Sequence, residues 1–425
     1  LIAGPQQAQS VSVSQRIDRI LTHKILGFPL FILFRWIMFQ STFSFGAYPQ
    51  DWIEMAISWF GGIVSDLMPA GPLKDLLIDG IIQGVGSVIV FLPNILILFF
   101  FISLMEDTGY MARAAFIMDK LMHKIGLHGQ SFIPLIMGFG CNVPAIMTTR
   151  TLKDRNDRLL TMLINPFMSC SARLPVYILI AGAVFPDQAG NVIFAMYLIG
   201  ILLAILISIV FKKLLFKSEE APFVMELPPY RMPTVKGVAI HLWDKGKQYL
   251  SKMGGIILIA VILIWALEYF PGGSDTQPEH RLEQSYIAKI GKTIEPVLTP
   301  LGFDWRMGIS LLTGAAAKEV VVSTMGVLFS HQETDTPVGS HRLTKQLQTA
   351  TYQTGEKAGE LLFTPVVGFS YLIFILIYMP CVAVVATVSR ESGSWKWALF
   401  LIGYTTILAW VLSFLVYQGG SLIFG

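Results

Sequence analysis

Apolar residues fall in blocks of about twenty, the length that crosses the hydrocarbon core of a bilayer, with short polar segments between them. The blocks at 25–45, 84–105, 159–185, 192–211, 254–270, 365–388 and 397–417 predict seven spanning helices. Two further apolar stretches are broken at their centres. In SFIPLIMGFGCNVPAIMTTR (131–150) the pattern is interrupted by Gly138, Gly140, Cys141, Asn142 and Pro144; in LLTGAAAKEVVVST (311–324) it is interrupted by Lys318 and Glu319. Opened backbone in hydrocarbon costs several kcal/mol per unpaired group unless protein or a polar cavity shields it. Such breaks predict re-entrant hairpins at the place where transporters bind their cargo. The first is flanked by basic residues on both sides: Arg113, Lys120 and Lys124 before it, and Arg150, Lys153, Arg155 and Arg158 after it. By the positive-inside rule both ends belong to the cytoplasm.

The polar segments complete the plan. Residues 1–24 form a cytoplasmic lead-in helix, and 25–107 hold the first two spans with an external interfacial helix anchored by Trp52, Trp59 and Phe60. Residues 108–217 form a first repeat that opens with an amphipathic surface helix at 108–130. Residues 218–253 are a cytoplasmic linker, and 254–425 supply a connecting span and a second repeat, with an exterior loop at 271–306 and a polar stretch at 331–360. Sliding the chain by 176 residues sets Tyr110 on Tyr286, Gly126 on Gly302, Gly138 on Gly314 and Thr148 on Thr324, and places Asn142 on Lys318. Three spans separate the two breaks, so the halves run in opposite senses. The fold class is an all-α polytopic membrane protein with an inverted repeat and two re-entrant hairpins, amino terminus inside and carboxy terminus outside.

Composition agrees: 54% of the 425 residues are hydrophobic and 14% charged, with a mean hydropathy of +0.62. A net charge of +3 leaves no nucleic-acid footprint. The opening residues lack the pattern of a secretory signal, and a chain that starts without Met reads as part of a longer one. No GxxxxGK[ST], GxSxG or HExxH motif is present, so the sequence carries no catalytic motif and no nucleotide-hydrolysing one.

Three cysteines in so long a chain are no disulfide scaffold. Cys141, Cys170 and Cys381 each lie within a few residues of a proline in a broken apolar segment. Taken singly, a cysteine is often a small buried hydrophobe; placed together, thiols with neighbouring methionines and a carboxamide suit a soft or borderline divalent metal. These three are the candidate metal ligands. Asn142, Met168, Ser169, Ser171, Lys318 and Glu319 are candidates to line a transport path. An intramembrane Lys318 and Glu319 imply function, against the plainer reading of an ion pair that pins the hairpin. Glu106, Asp107 and Glu391, at span ends, are candidates for taking up or releasing the ion. None of the seven histidines falls in a span. A transporter of a nucleoside-like organic solute, using Asn142, Lys318 and Glu319 as hydrogen-bonding groups, or of another divalent metal, stays open beside this reading. The thiols separate the two classes, because an organic site has no need of them.

The run EDTGYMARAAFIMDKLMHKIGLHGQSFIPLIMGFGCNVPAIMTTRTL, followed by SCSARLPVY, ELPPYRMP, LLTGAAAKEVVVSTMGVLF and MPC, resembles the membrane domain of the bacterial ferrous iron transport protein B family from about Ile17 onward. The repeats of that family are called Gate domains and are similar to the core of concentrative nucleoside transporters. The resemblance implies uptake of Fe(II) across the bacterial inner membrane, with Cys141 and Cys170 as iron contacts. It also implies an amino-terminal domain that binds GTP with Mg(II), followed by a helical domain, and a small cytoplasmic partner, ferrous iron transport protein A. This chain starts at the membrane domain, so GTP coupling enters by resemblance alone. The lipid bilayer is the other partner, and assembly into a homo-oligomer is compatible with the pattern.

Overall fold

A computed structural model describes residues 27–69, 71–83, 92–216, 285–329, 340–352 and 358–424, with isolated positions at 89 and between 234 and 271. The lead-in 1–24, the start of the second expected span (84–88), most of the linker 218–253, most of the span expected at 254–270, the loop segment 272–284 and the stretch 330–339 lie outside the described residues. Among the described residues the chain is helical, and the one extended pairing is an isolated bridge between Thr351 and Leu361.

Helix α1 (Gly27–Leu67) is continuous over 41 residues, where the polarity pattern predicts a span and a separate interfacial helix. At 1.5 Å per residue it is about 60 Å long, roughly twice the hydrocarbon thickness. The polar change at Ser44 to Asp51 therefore marks where the helix leaves the apolar zone, not where its backbone ends. Pro49 removes a single ladder hydrogen bond within it. A π-helical segment, Leu76–Gln83, follows, then α2 (Leu92–Asp107), which packs on α1.

Helix α3 (Tyr110–Lys124) starts after the left-handed Gly109 and buries Tyr110, Ala114, Met118 and Met122, a stripe at four-residue spacing. The amphipathic reading of this segment holds. Next come α4 (Phe132–Gly138), α5 (Asn142–Thr148), α6 (Arg155–Ile164), α7 (Leu174–Val184) and α8 (Ala189–Leu214). The chain continues with α9 (Tyr286–Leu298), α10 (Trp305–Thr313) and α11 (Val320–Phe329). It continues through α12 (Ser340–Thr349), α13 (Pro365–Ile377), α14 (Val382–Ser392) and α15 (Trp395–Phe424).

Tyr110 opens α3 and Tyr286 opens α9, and the paired Gly126 and Gly302 both sit in the left-handed region at φ 82° and 80°. Two helices were not read from the pattern. Helix α9 lies in what reads as an exterior loop, and α12 in the polar stretch. Each is amphipathic: α9 buries Ile287, Ala288, Gly291 and Leu298, while α12 buries Leu343 and Leu347 among its described side chains. Helix α12 is held against α7 by Gln348, whose Nε2 donates to the Ala183 carbonyl at 3.1 Å.

Among the described residues, four segments are long and apolar enough to cross a membrane: Arg155–Val184, Pro186–Leu214, Pro365–Ser392 and Trp395–Ile423. They coincide with four of the seven expected spans. The first and third are broken, each into two shorter helices, and their apolar windows are 56% and 78% buried; the second and fourth are 22% buried. The broken segments therefore run through the protein interior, where opened backbone is shielded, and the intact ones form the rim. Helix α8 accordingly exposes Phe194, Leu198, Leu202 and Leu206 along one face, and α15 exposes Leu399, Ile407, Val411 and Leu415.

Candidate functional site

Each break follows from where its prolines and glycines fall. Pro134 and Pro144 sit in the first turns of α4 and α5, where a missing N–H costs nothing, so both helices start cleanly. Helix α4 stops at Gly138 because space and not conformation demands glycine. A Cβ there would lie 2.5 Å from Asn165 Oδ1, 2.9 Å from Met168 Cβ and 3.1 Å from Asn142 Oδ1. Between α6 and α7 the chain passes through a 3-10 turn (Asn165–Phe167), extended Met168 and Cys170, and a second 3-10 turn (Ser171–Arg173). Arg173, 1% exposed, closes this gap internally by donating from Nη1 to the Pro166 carbonyl at 2.8 Å and the Met168 carbonyl at 3.5 Å.

The three cysteines share one backbone role. Cys141, Cys170 and Cys381 each immediately precede a helical segment in an extended conformation, at φ/ψ of −151/127, −75/162 and −58/152. The residues that follow two of them seat the broken spans on the short helix pairs. Ser171 donates both its N–H (3.1 Å) and its Oγ–H (3.0 Å) to the Gly140 carbonyl, and the Val382 N–H donates to the Ala315 carbonyl at 3.0 Å. Both halves therefore dock a cysteine-bearing break on the tip of a helix–turn–helix. Cys141 is an electrostatic neighbour of Cys170, Cys381 and Glu319.

Lys318 is 3% exposed, and its ammonium is directed at the second break: Nζ donates to the Met379 carbonyl at 2.7 Å and lies 3.1 Å from the centroid of the Tyr378 ring. It therefore ties α10 and α11 to the Cys381 segment and is not aimed at Glu319. Ser169 is buried and shares a 2.8 Å hydrogen bond with the Tyr177 hydroxyl, and Met168 is buried against Gly138. Among the described residues no three His, Cys, Asp or Glu side chains converge closely enough to hold a metal ion. Loading a metal here requires the thiols to draw together or other donors to take part.

Asp107 and Glu391 have partners of their own. Asp107 accepts from Ser103 Oγ at 3.4 Å, and the side chain of Glu106 lies outside the described residues. Glu391 takes a two-point bond from Arg150, Nε at 2.6 Å and Nη2 at 2.5 Å, with Arg158 Nη2 at 3.8 Å. Arg158 also donates to the Glu391 main-chain carbonyl. This cluster ties the end of α5 to the end of α14, and the Glu391 carboxylate raises the Arg150 guanidinium above its ordinary value. Asn165 was legible only as a helix interruption. Its Nδ2 donates to the Pro134 carbonyl at 2.9 Å, which joins the first break to α4.

Comparison with known proteins identifies relatives of the chain. The family model of the Gate domain, described as nucleoside recognition, matches residues 88–184 and 250–395, and the model of the ferrous iron transport protein B C terminus matches 193–245. An Fe(2+) transport protein A/Fe(2+) transporter FeoB fusion protein of Porphyromonas gingivalis is 54% identical over 98% of this chain and 52% of its own length. The Fe(2+) transporter FeoB of Campylobacter jejuni is 44% identical over 95% of the chain and 65% of its own length. That of Staphylococcus aureus is 41% identical over 96% and 59%. The chain thus spans between about half and two thirds of these curated relatives. No solved structure matches it. With Gate-domain matches over more than half its length, falling on both breaks, this chain belongs to the ferrous iron transport protein B family, of which it represents the Gate-containing membrane domain.

Proposed function

We propose that this chain forms the path by which Fe(II) crosses a bacterial inner membrane as a multi-pass protein. The observation that carries the reading is the paired docking of Ser171 on Gly140 and Val382 on Ala315, which brings a cysteine-bearing break to the tip of each short helix pair. In this reading α4–α5 and α10–α11 are re-entrant hairpins of an inverted repeat and enter from opposite faces. Two sets of contacts support the two faces. The Arg150–Glu391 bond ties the first hairpin to the end of α14, and Gln348 and Trp410 tie the second half's elements to Ala183 and Val297 at the other end. Cys141, Cys170 and Cys381 supply thiolates to the ion in passing, with Asn142, Met168, Ser169, Ser171 and Glu319 lining the route. The ligand form of a thiol is the thiolate, so loading of the ion and release of thiol protons are coupled. The relatives' names support Fe(II) as cargo and, through the fusion, an association with ferrous iron transport protein A. GTP and Mg(II) would act on a domain outside these residues, and Glu106, Asp107 and Glu391 remain candidates for the ends of the route.

The test is anaerobic Fe(II) uptake into proteoliposomes, comparing the wild-type chain with Cys141→Ser and Cys170→Ser, with labelled uridine alongside. The expected result is Fe(II) flux that falls at least tenfold in either variant, with no uridine movement. Uridine flux indifferent to both substitutions would move the protein to the organic-solute class named by its Gate-domain match.

A further inference from the structure

Two carboxamide oxygens beside the first break have no hydrogen-bond donor. Asn142 is 4% exposed and Asn165 is fully buried, and Oδ1 of each is unsatisfied. The Asn165 amide is oriented unambiguously, because its Nδ2 donates to the Pro134 carbonyl and leaves Oδ1 facing the other way. Both oxygens crowd the same point in space, the position a Gly138 Cβ would take, at 2.5 and 3.1 Å. An unsatisfied buried acceptor is expensive, and two of them on one spot are a standing demand for a positive charge or a donor. Asn142 directly follows Cys141, and Cys170 is brought to the same break by Ser171, whose N–H and Oγ–H both donate to the Gly140 carbonyl.

The second half differs at the corresponding position. The 176-residue offset places Lys318 where Asn142 stands, and the Lys318 amine donates to the Met379 carbonyl beside its own break. Gly314, which corresponds to Gly138, likewise lets a buried oxygen approach: a Cβ there would lie 2.6 Å from the unsatisfied Tyr378 hydroxyl.

We propose that Asn142 Oδ1 and Asn165 Oδ1 form an oxygen subsite for the transported cation, next to Cys141 and Cys170, and that this subsite sets metal preference. The inference rests on the reading of the chain as a thiol-lined metal path. Neutral carbonyl-type oxygens suit harder ions such as Mn(II), while thiolates alone favour Zn(II) and Cu(I) over Fe(II) in the usual affinity order. A mixed oxygen and sulfur set shifts the balance towards Fe(II) and Mn(II). The shortage of acidic or thiol donors at the site fits this division, since among the described residues no three such side chains gather.

The test uses purified full chain and two probe ions. Mn(II) binding is read from loss of the free-ion electron paramagnetic resonance signal, and Zn(II) binding from competition with a chromophoric chelator. Asn142→Ala and Asn165→Ala should each weaken Mn(II) binding by about tenfold or more, the scale of losing a supporting ligand group, while changing Zn(II) binding less than threefold. The Fe(II)-to-Zn(II) flux ratio in proteoliposomes should drop in parallel. Asn165→Ala also removes the bond to Pro134; if that variant does not fold, Asn142→Ala decides. Mn(II) and Zn(II) affinities that fall together, or that both stay at the wild-type level, would overturn the subsite, the oxygens then holding only water or packing. A wild-type chain that binds neither metal would overturn the metal path as well, whereas Fe(II) flux with unaltered selectivity in the variants would overturn the subsite alone.

Discussion

Lys318 and the three thiols make opposite demands on a divalent ion, and the balance between them is testable residue by residue. The Lys318 side chain is held by the Met379 carbonyl and the Tyr378 ring, so Lys318→Met removes the buried amine without emptying the volume. That variant is expected to bind Fe(II) more tightly and to release it more slowly, with uptake falling while bound metal rises. A parallel loss of binding and uptake would show that Lys318 serves only to hold the hairpin. The need to deprotonate thiols gives a pH dependence of definite sign. The ligand form is the thiolate, so protons compete with metal and initial Fe(II) uptake should rise with pH between about 6 and 8. A flat profile would remove thiolates from the loading step. The cysteines were legible in the sequence because thiols beside prolines in apolar runs are conspicuous. Asn165 was not: before a proline it reads as a turn residue, and its meaning depends on Gly138, 27 positions earlier in the chain, approaching it in space.

At the level of elements, glycines set how closely the breaks pack against intact helices. A Cβ on Gly200 of α8 would lie 2.5 Å from the Phe167 carbonyl in the first break. Gly200→Ala must push rim and break apart, a cost of about 1–3 kcal/mol by analogy with overpacked cores. Its melting temperature should fall, whereas Gly403→Ala, with open space around it, should not change it; equal effects would refute this packing account. The same scale shows where polarity patterns mislead. The charged face of α9 reads as a loop, because Lys289, Lys292 and Glu295 lie between apolar residues that only helical spacing groups together. Helix α12 offers just Leu343 and Leu347, too little periodicity to stand out, and is fixed by its docking on α7. In α1 a change of solvent was read as a change of element. Where the signal came from apolar length, at 159–185, 192–211, 365–388 and 397–417, the elements lie where the sequence put them.

Across the whole molecule, the two broken segments form the interior and the two intact ones the rim, the arrangement that lets opened backbone exist at membrane depth. The proposed inverted repeat makes a topological prediction. Single cysteines at Lys153 and Lys213, both exposed, should label from one side of the membrane and one at the exposed Lys345 from the other. All three labelling from the same side would refute opposite entry of the hairpins. The central claim, a path whose ligands include the thiols of both breaks, is tested most directly by iron K-edge X-ray absorption on the Fe(II)-loaded chain. The account predicts sulfur scatterers at about 2.3 Å, a typical metal–thiolate distance, mixed with oxygen or nitrogen and reduced in number by Cys141→Ser and Cys170→Ser. A spectrum of oxygen and nitrogen neighbours alone, unchanged by either substitution, would contradict it.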